Sequence, residues 1–351
     1  MPPVTEHPSG ADEPILRVED LRTQITVRAG VVKAVDGVSF TIRRGETVGL
    51  VGESGSGKTM TLLSIMGLMP VAAARIVGGR IWFDGRDLLR EPESAMRRVR
   101  GARIAMIMQD ALTALNPVLT IGDQVTEPLR YHPGRHSGTV RERAIEVLES
   151  VRIPGPERRL GEYPHQFSGG MRQRVLAAMA LGPSPDLILA DEPTTALDVT
   201  IQAQFLTLMR RIQRESGASA LWVTHDLGVV AQTCDRVNVM YAGRIVESGE
   251  VRRILHRPRH PYTVALMDSV PKLGRRTERL YQIQGQPPDL LRLPPGCAFY
   301  DRCPLRMDVC REVFPPATPI GDGFVHCWAV GDGTSRVPDA PEAAAADGPA
   351  A

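Results

Sequence analysis

Short apolar runs alternate with longer amphipathic stretches through much of the chain. Four of these runs are "ETVGLVG" (46–52), "RIAMIMQ" (103–109), "DLILAD" (186–191) and "SALWVTH" (219–225), and each ends in small, polar or charged residues. Such runs are typical of strands buried in a parallel sheet, which carries functional residues at the carboxyl ends of its strands. The pattern therefore predicts a largely parallel sheet with its chemistry at one edge.

Stretches with helical spacing lie between the predicted strands. They include "TMTLLSIMGLM" (59–69), "VRERAIEVLESV" (140–151), "RQRVLAAMALG" (172–182) and "IQAQFLTLMRRIQRESG" (201–217). Gly217 is placed to cap the last of these helices at its C-terminus. Alternating strands and helices indicate an α/β nucleotide-binding architecture.

Composition divides the chain into two predicted folded units. Residues 1–13 and about 333–351 are rich in Pro, Ala and acidic residues without apolar periodicity, which predicts disordered ends. After about residue 250 prolines become frequent and four of the five cysteines follow. We therefore predict a large domain over 14–255 and an appended small domain over 256–332.

Charge and hydropathy exclude some functions. The chain has 42 basic and 40 acidic residues among 351, a net charge of +2. Because a DNA-binding surface normally shows a clustered basic excess, nucleic acid is not an expected partner. The polar start predicts no signal peptide, and no apolar run reaches the roughly 18 to 20 residues that cross a bilayer. We expect a cytosolic chain, with any membrane span supplied by another protein.

The stretch "GESGSGKT" (Gly52–Thr59) fits the phosphate-loop pattern G-x-x-x-x-G-K-S/T in full, between a predicted strand and a predicted helix. Backbone N–H groups close around the β-phosphate, Lys58 places a positive charge at the β- and γ-phosphates, and the Thr59 hydroxyl can ligate Mg²⁺. The alternative is a chance glycine-rich turn. The predicted ATP-binding residues here are Gly52, Glu53, Ser54, Gly55, Ser56, Gly57, Lys58 and Thr59.

Two adjacent acids end the apolar run in "LILADEP". Asp191 is placed to hold the Mg²⁺ shell, and Glu192 is placed to polarise the attacking water. Such a pair is commonplace alone, but together with the phosphate loop it indicates a nucleoside triphosphatase.

A second candidate anion site lies in "FSGGMRQRV" (167–175). Ser168, Gly169 and Gly170 precede a predicted helix, where a hydroxyl and bare backbone donors meet the positive end of the helix dipole. One chain therefore has two predicted phosphate-binding elements.

With these motifs the sequence closely resembles the ATP-binding subunits of ABC transporters. The resemblance implies that Gln109 is the Q-loop glutamine, a catalytic and Mg²⁺-ligating residue, that "ALD" (196–198) with Asp198 is the D-loop, and that His225 is the catalytic switch histidine. It also implies that the signature Ser168, Gly169, Gly170 and Met171 closes over ATP held by a second ATPase subunit. A lone histidine is more often a core or capping residue, so the catalytic assignment of His225 rests on its position after an apolar strand.

Two positions depart from the family pattern. Met171 stands where many relatives have Gln, which we expect to leave the phosphate contacts of the signature intact. No aromatic residue is available to stack on adenine in "LRTQITVRAG", so Ile25 or Val27 is expected to supply an apolar surface instead. The resemblance also implies that residues of about 110–166 form a helical subdomain, which receives a coupling helix from the membrane subunits. The alternative is an ordinary packed insertion.

The C-terminal region indicates a particular subgroup of this family. "RHPYTVALMDSVPKL" (259–273) and "GCAFYDRCPLRMDVC" (296–310) strongly resemble the C-terminal extension of ATP-binding subunits from oligopeptide and dipeptide importers, a group that includes nickel importers. The fold implied is an α/β P-loop ABC ATPase domain with a helical subdomain and a small C-terminal cysteine-containing domain. The implied partners are a second ATPase subunit, identical or paralogous, two membrane permeases and, indirectly, an extracytoplasmic solute-binding protein. The implied location is the cytoplasmic side of the membrane, as a peripheral subunit.

Four cysteines cluster near the end of the chain with the spacing C-x5-C-x6-C-x16-C; they are Cys297, Cys303, Cys310 and Cys327. Four thiolates in a reducing compartment suit a 4Fe–4S cluster or a tetrahedral zinc ion. The wide spacing favours iron–sulfur, because a C-x2-C zinc knuckle is absent. Four unligated thiols are the alternative, and Cys234 is interpreted as structural.

Two functions of different class remain open. The first is an ATP-hydrolysing motor, requiring ATP and Mg²⁺, for uptake of dipeptides, oligopeptides or a related solute such as nickel. The second is a redox- or metal-responsive regulator with an ATPase fold. The complete set of catalytic motifs favours the motor.

Overall fold

The computed structural model describes residues 13–109, 111–132, 138–195, 197–270 and 282–331. The predicted disordered ends lie outside this range, apart from Glu13, and so does Ala196 of the predicted D-loop. No helix in the described part of the chain is long and apolar enough to cross a membrane.

The main sheet has eight strands in the described residues. In spatial order they are β11 (Thr318–Ile320), β12 (Gly323–Val325), β10 (Arg244–Glu250), β9 (Arg236–Tyr241), β3 (Thr47–Val51), β8 (Ser219–Thr224), β7 (Leu187–Asp191) and β6 (Ile104–Ile107). The five strands from β9 to β6 are parallel, and the other three add to β9 in antiparallel fashion. The four apolar runs that predict a parallel sheet are β3, β6, β7 and β8, so that prediction is confirmed.

A second, antiparallel sheet packs over the first. It contains β1 (Leu16–Val27), β2 (Gly30–Ile42), β4 (Ala74–Phe83) and β5 (Arg86–Asp87), in the order β2-β1-β4-β5. Leu16, Leu50, Ile65 and Ile81 are fully buried in one hydrophobic cluster between the sheets. This burial fixes the β1–β2 hairpin next to the end of β3.

Helices follow the predicted alternation. They are α1 (Lys58–Met66), α2 (Glu93–Val99), α3 (Ala111–Ala114), α4 (Ile121–Tyr131), α5 (Val140–Ser150), α6 (Pro156–Arg159), α7 (Gly169–Leu181), α8 (Val199–Ser216), α9 (Leu227–Thr233), α10 (Val251–His256), α11 (Pro261–Asp268), α12 (Asp308–Glu312) and α13 (Trp328–Gly331), with short 3-10 turns at Pro164–Gln166 and Tyr300–Arg302. Gly217 ends α8 with φ 69°, a left-handed conformation that glycine adopts without strain, as predicted.

The described parts of the interval of about 110–166 consist of helices joined by turns and short connecting segments. Helices α3 to α6 occupy it, and α4 and α5 both begin with a capping box in which Thr120 and Thr139 bond the third residue of each helix. Val125 and Leu148 pack in the same cluster as Trp222 of the main sheet. The interval is therefore packed directly onto the main sheet.

The C-terminal region adds to the same sheet. Strand β12 pairs with β10, where Val325 lies opposite Glu247 and Phe324 opposite Ser248. Tyr262 and Phe299 share one buried cluster with residues of β9. The predicted division between 14–255 and 256–332 stays a prediction, because strand pairing and a common core join the two regions.

Glu247 anchors this junction. Its fully buried carboxylate accepts hydrogen bonds from the backbone N–H groups of Arg259 and His260 at 2.9 Å each and pairs with Arg253 at 3.2 Å. A buried carboxylate needs such partners, because leaving it unpaired costs several kcal/mol. The contacts tie the start of the "RHPY" stretch to strand β10.

Candidate active site

The phosphate loop joins the end of β3 to the start of α1. A Cβ atom at Gly52 would lie 2.1 Å from the Met240 carbonyl oxygen, and one at Gly57 would lie 2.2 Å from that of Ala34, so only glycine fits at both positions. The buried Lys58 ammonium donates to the carbonyls of Gly52 at 2.7 Å and Glu53 at 2.9 Å. The lysine therefore bonds the backbone of its own loop, and close packing fixes that backbone in place.

The two acids stand at the carboxyl end of β7, as predicted. Thr59 Oγ1 donates to Asp191 Oδ1 at 3.1 Å, which brings the two predicted Mg²⁺ ligands together. Burial raises the pKa of Asp191 and lowers the pKa of Lys58, and neighbouring acids oppose the second effect. Strand β7 thus presents a carboxylate beside the first turn of α1.

Glu192 contacts the other predicted catalytic residues. Its Oε2 accepts from Gln109 Nε2 at 3.2 Å and from Thr195 Oγ1 at 3.0 Å, and it lies 3.2 Å from His225 Nδ1. Glu192 has a left-handed backbone with φ 44°, which is uncommon for a residue other than glycine and is frequent at functional sites. Three predicted residues from three separate segments therefore meet at one carboxylate.

One cleft of about 530 Å³ contains these groups. Its polar side is formed by the phosphate loop with Lys58, Thr59, Gln109, Glu192 and His225. Its apolar side is formed by Ile25, Val32, Ala34, Met60 and Leu290. Ile25 therefore lines the cleft as predicted for the base-side surface, whereas Val27 is outside it and 40% exposed.

The predicted signature lies elsewhere on the surface. Ser168 caps α7 by accepting from the Met171 N–H at 3.3 Å, and Gly169 is exposed. None of the four signature residues lines the cleft of the same chain. Asp198 caps α8 by accepting from the Ile201 N–H and is likewise exposed outside the cleft. The structure therefore leaves Ser168, Gly169 and Asp198 exposed to solvent outside the cleft.

The four clustered thiols line one small cavity of about 20 Å³, together with His260 and Trp328. The backbone at Phe299, Leu305 and Ala329 lowers the pKa of Cys297, Cys303 and Cys327 respectively, but burial has the larger and opposite effect on all three thiols. Burial raises the pKa of Cys297 to about 11 and that of Cys327 to about 12. Cys234 is half-buried beside Gly49 and does not line this cavity.

These thiols do not form a finished metal centre. Within the described ranges, no group of three or more His, Cys, Asp or Glu side chains is arranged to hold a metal ion. The predicted iron–sulfur or zinc site is therefore not confirmed, although its four ligands are neighbours.

Several residues at the site have no signal in the sequence. Leu290 lines the cleft from the C-terminal region, and its carbonyl accepts from the Lys33 N–H at 3.3 Å. Tyr262 accepts a hydrogen bond from the Glu53 N–H at 2.8 Å, and Arg302 pairs with the Glu53 carboxylate. None belongs to a phosphate-binding motif, so only the tertiary fold reveals them.

Comparison with known families decides the assignment. Residues 35–195 match the ABC transporter family, and residues 246–310 match the C-terminal region of oligopeptide/dipeptide transporters. The chain is 52% identical over 317 residues to the dipeptide transport ATP-binding protein DppD of Bacillus subtilis (strain 168), which covers 90% of this chain and 95% of that protein. The chain belongs to the ATP-binding subunits of oligopeptide and dipeptide ABC importers.

Other relatives agree with this membership. The oligopeptide transport ATP-binding protein OppD of Salmonella typhimurium is 46% identical over 309 residues, covering 88% of this chain and 91% of that protein. Among solved structures, a dimeric post-hydrolysis state of the ATP-binding cassette MJ0796 with ADP and Pi aligns with a TM-score of 0.60 at 28% identity, over 68% of this chain and 99% of that one. This ABC importer subunit is thus an ATPase that couples ATP hydrolysis to transport.

Proposed function

We propose that this subunit drives uptake of dipeptides or oligopeptides. The observation that carries the motor assignment is the meeting of Gln109, Glu192 and His225 in the cleft that contains Lys58 and Thr59. The solute class is supported by the names of relatives at about 50% identity and by the matching C-terminal region. A nickel or other small-solute importer is the second candidate, because the same type of extension resembles both groups.

Each group in the cleft has a proposed role in hydrolysis. The phosphate loop and Lys58 bind the β- and γ-phosphates, and Thr59, Asp191 and Gln109 would hold Mg²⁺, which would neutralise charge on the phosphates. Glu192 accepts a proton from the attacking water, and His225, within 3.2 Å of the same carboxylate, orients the γ-phosphate end of the site. Ile25 and Leu290 form the apolar wall for the nucleoside.

The active ATPase is proposed to be a dimer. Ser168, Gly169, Gly170 and Met171, with Asp198 nearby, would complete the ATP site of a second ATPase subunit, which is identical or paralogous. Two observations support this: the signature does not line its own cleft, and a structural relative is described as dimeric. Two membrane permeases and a solute-binding protein complete the proposed importer, which places this chain at the cytoplasmic face of the membrane as a peripheral subunit.

The thiol cluster is proposed to hold a metal centre that cross-links residues after about 285. Cys297, Cys303, Cys310 and Cys327 share one cavity, and a backbone group near three of the sulfurs favours the thiolate form that ligates a metal. A 4Fe–4S cluster is favoured over zinc by the wide spacing. The cavity of about 20 Å³ requires the thiols to move outward around a cluster.

Transport assays distinguish the candidate solutes. The subunit is assembled in liposomes with its own permeases, and ATP hydrolysis is measured with the solute-binding protein loaded with a dipeptide, a longer peptide or Ni²⁺. Stimulation by peptide alone supports the proposal, and stimulation by Ni²⁺ alone supports the second candidate. A regulator would have neither effect, and its gene would lack neighbouring permease genes.

Metal analysis tests the cluster separately. Protein purified without oxygen should be brown and contain about four irons per chain, whereas zinc would leave it colourless. Cys303→Ser should lose the metal, and Cys234→Ala, which changes a thiol outside the cavity, should keep it. Finding neither metal in folded protein would contradict the proposal.

A further inference from the structure

The phosphate loop contains a carboxylate that should oppose its own function. Glu53 is the second residue of the loop, and the triphosphate that the loop is proposed to bind is strongly anionic. Like charges close together disfavour binding, and the effect is strongest where protein excludes water. The position of the Glu53 side chain therefore bears on ATP affinity.

Arg302 forms an ion pair with the Glu53 carboxylate. Its two terminal nitrogens donate to the two carboxylate oxygens of Glu53 at 2.7 and 3.0 Å, which is the bidentate geometry of a strong ion pair. Only 5% of the Arg302 side chain is exposed, so the pair is partly shielded from water. The charge of Glu53 is thus neutralised by a residue 249 positions away in the sequence.

The guanidinium is held in one orientation. Besides Glu53, it donates to the Tyr241 hydroxyl at 3.1 Å, to the Gln284 carbonyl at 3.0 Å and to the Ile283 carbonyl at 3.3 Å. These five contacts match the five N–H donors of an arginine side chain. A lysine could not make them, because it lacks the planar fork.

The ion pair turns the carboxylate away from the ATP cleft. Glu53 lines a neighbouring cavity with Tyr241 and with the 287–291 segment. This cavity adjoins the cleft lined by Lys58 and Thr59, but Glu53 is not among the residues that line the cleft. The backbone of Glu53 is fixed as well, since its N–H donates to Tyr262 and its carbonyl accepts from Lys58.

We propose that Arg302 is a positioning residue of the phosphate loop, which neutralises Glu53 and holds its carboxylate away from the triphosphate. The inference rests on the proposed role of residues 52–59 in ATP binding. Because Arg302 immediately precedes Cys303, it also makes ATP affinity depend on the fold of the thiol-containing region, although the two regions are far apart in sequence.

The test measures ATP affinity with a fluorescent ATP analogue and the fold by circular dichroism and thermal unfolding. Arg302→Met should raise the Kd for ATP roughly tenfold, because it leaves a carboxylate unpaired beside the phosphates. Adding Glu53→Gln to Arg302→Met should recover most of the lost affinity, since the unpaired charge is then gone. Arg311→Met, which changes an exposed arginine in the same region, is the matched control and should bind like the wild type.

Each outcome bears on one part of the inference. Wild-type protein that binds no ATP would remove the phosphate-loop assignment itself. Normal ATP affinity in folded Arg302→Met would overturn the positioning role. If the double variant binds ATP as weakly as Arg302→Met, the charge of Glu53 is not the cause, and Arg302 only stabilises the surrounding fold. If Arg302→Met does not fold, Arg302→Gln, which also removes the positive charge, replaces it: a weakened affinity recovered by Glu53→Gln supports the proposal, and unchanged affinity overturns it.

Discussion

Glu192 is the single residue at which most of the predicted chemistry converges. Gln109 and His225 contact its carboxylate from segments that follow two different strands, β6 and β8. Parallel strands end at the same edge of a sheet, which is why residues after separate apolar runs become neighbours. The apolar runs predicted this edge of the sheet, whereas the roles of Gln109 and His225 were implied by the resemblance to ABC ATPases.

Replacing Glu192 by Gln should separate binding from hydrolysis. The amide keeps the size of the side chain but cannot accept a proton from water, so we expect steady-state hydrolysis to fall by roughly 10²-fold or more. ATP affinity should change little, because the phosphate loop is intact. Glu215→Gln, at an exposed position of α8, is the control. Near-normal turnover by Glu192→Gln would remove it from the proposed role.

Leu290→Ala tests the apolar wall of the cleft. The substitution removes part of a surface on which the nucleoside would pack, so the Kd for ATP should rise by roughly three- to tenfold. Leu291→Ala is a matched control, because Leu291 lines the neighbouring cavity and not the cleft. Equal affinities in titrations of both variants would exclude Leu290 from the nucleotide site.

At the scale of elements, local pattern predicted most of what the structure has. The runs that became β3, β7 and β8 are mostly apolar and buried throughout, so their strand character needs no tertiary information. Strands β11 and β12 are three residues long and were not predicted. Such short strands form because an existing edge, β10, supplies hydrogen-bond partners, and that edge is invisible in the local sequence.

Strand β10 and helix α11 should depend on Glu247. Glu247→Ala removes the acceptor for two backbone N–H groups and leaves the Arg253 charge unpaired, which should lower the free energy of unfolding by about 3–5 kcal/mol. Denaturant unfolding measures the loss, and hydrogen exchange should place it around residues 247–268. Glu250→Ala, at the exposed end of the same strand, should have a much smaller effect. Similar midpoints for the two variants would contradict the anchoring role.

At the scale of the whole molecule, the least predictable contacts join the C-terminal region to the ATP cleft. The pair of Glu53 with Arg302 and the position of Leu290 in the cleft connect segments separated by more than half of the chain. Neither spacing nor periodicity encodes such contacts, because they arise from packing of the finished core. The cysteine region therefore looked independent in sequence and is an immediate neighbour of the phosphate loop in space.

Assembly with a second ATPase subunit gives the last prediction. Ser168→Arg places a long cation in the exposed signature, where it should block closure of two subunits over ATP and abolish hydrolysis. ATP binding by the isolated chain should stay within about twofold of wild type, because the signature does not line its own cleft. Size-exclusion chromatography with ATP detects the dimer, and Ser150→Arg, at an exposed position at the end of α5, is the control. Lost ATP affinity in the monomeric variant would contradict completion in trans.

The pairing of β12 with β10 also affects how the chain is made. Glu247 leaves the ribosome well before Val325, its partner in the sheet. At typical rates of about 5–20 residues per second, roughly 4 to 16 s pass before β12 is synthesised. During that time β10 has an unpaired edge, which is a template for pairing with other nascent chains. Expression at lower temperature or with chaperones should therefore improve recovery, and truncation before residue 318 should make this edge permanently available for aggregation.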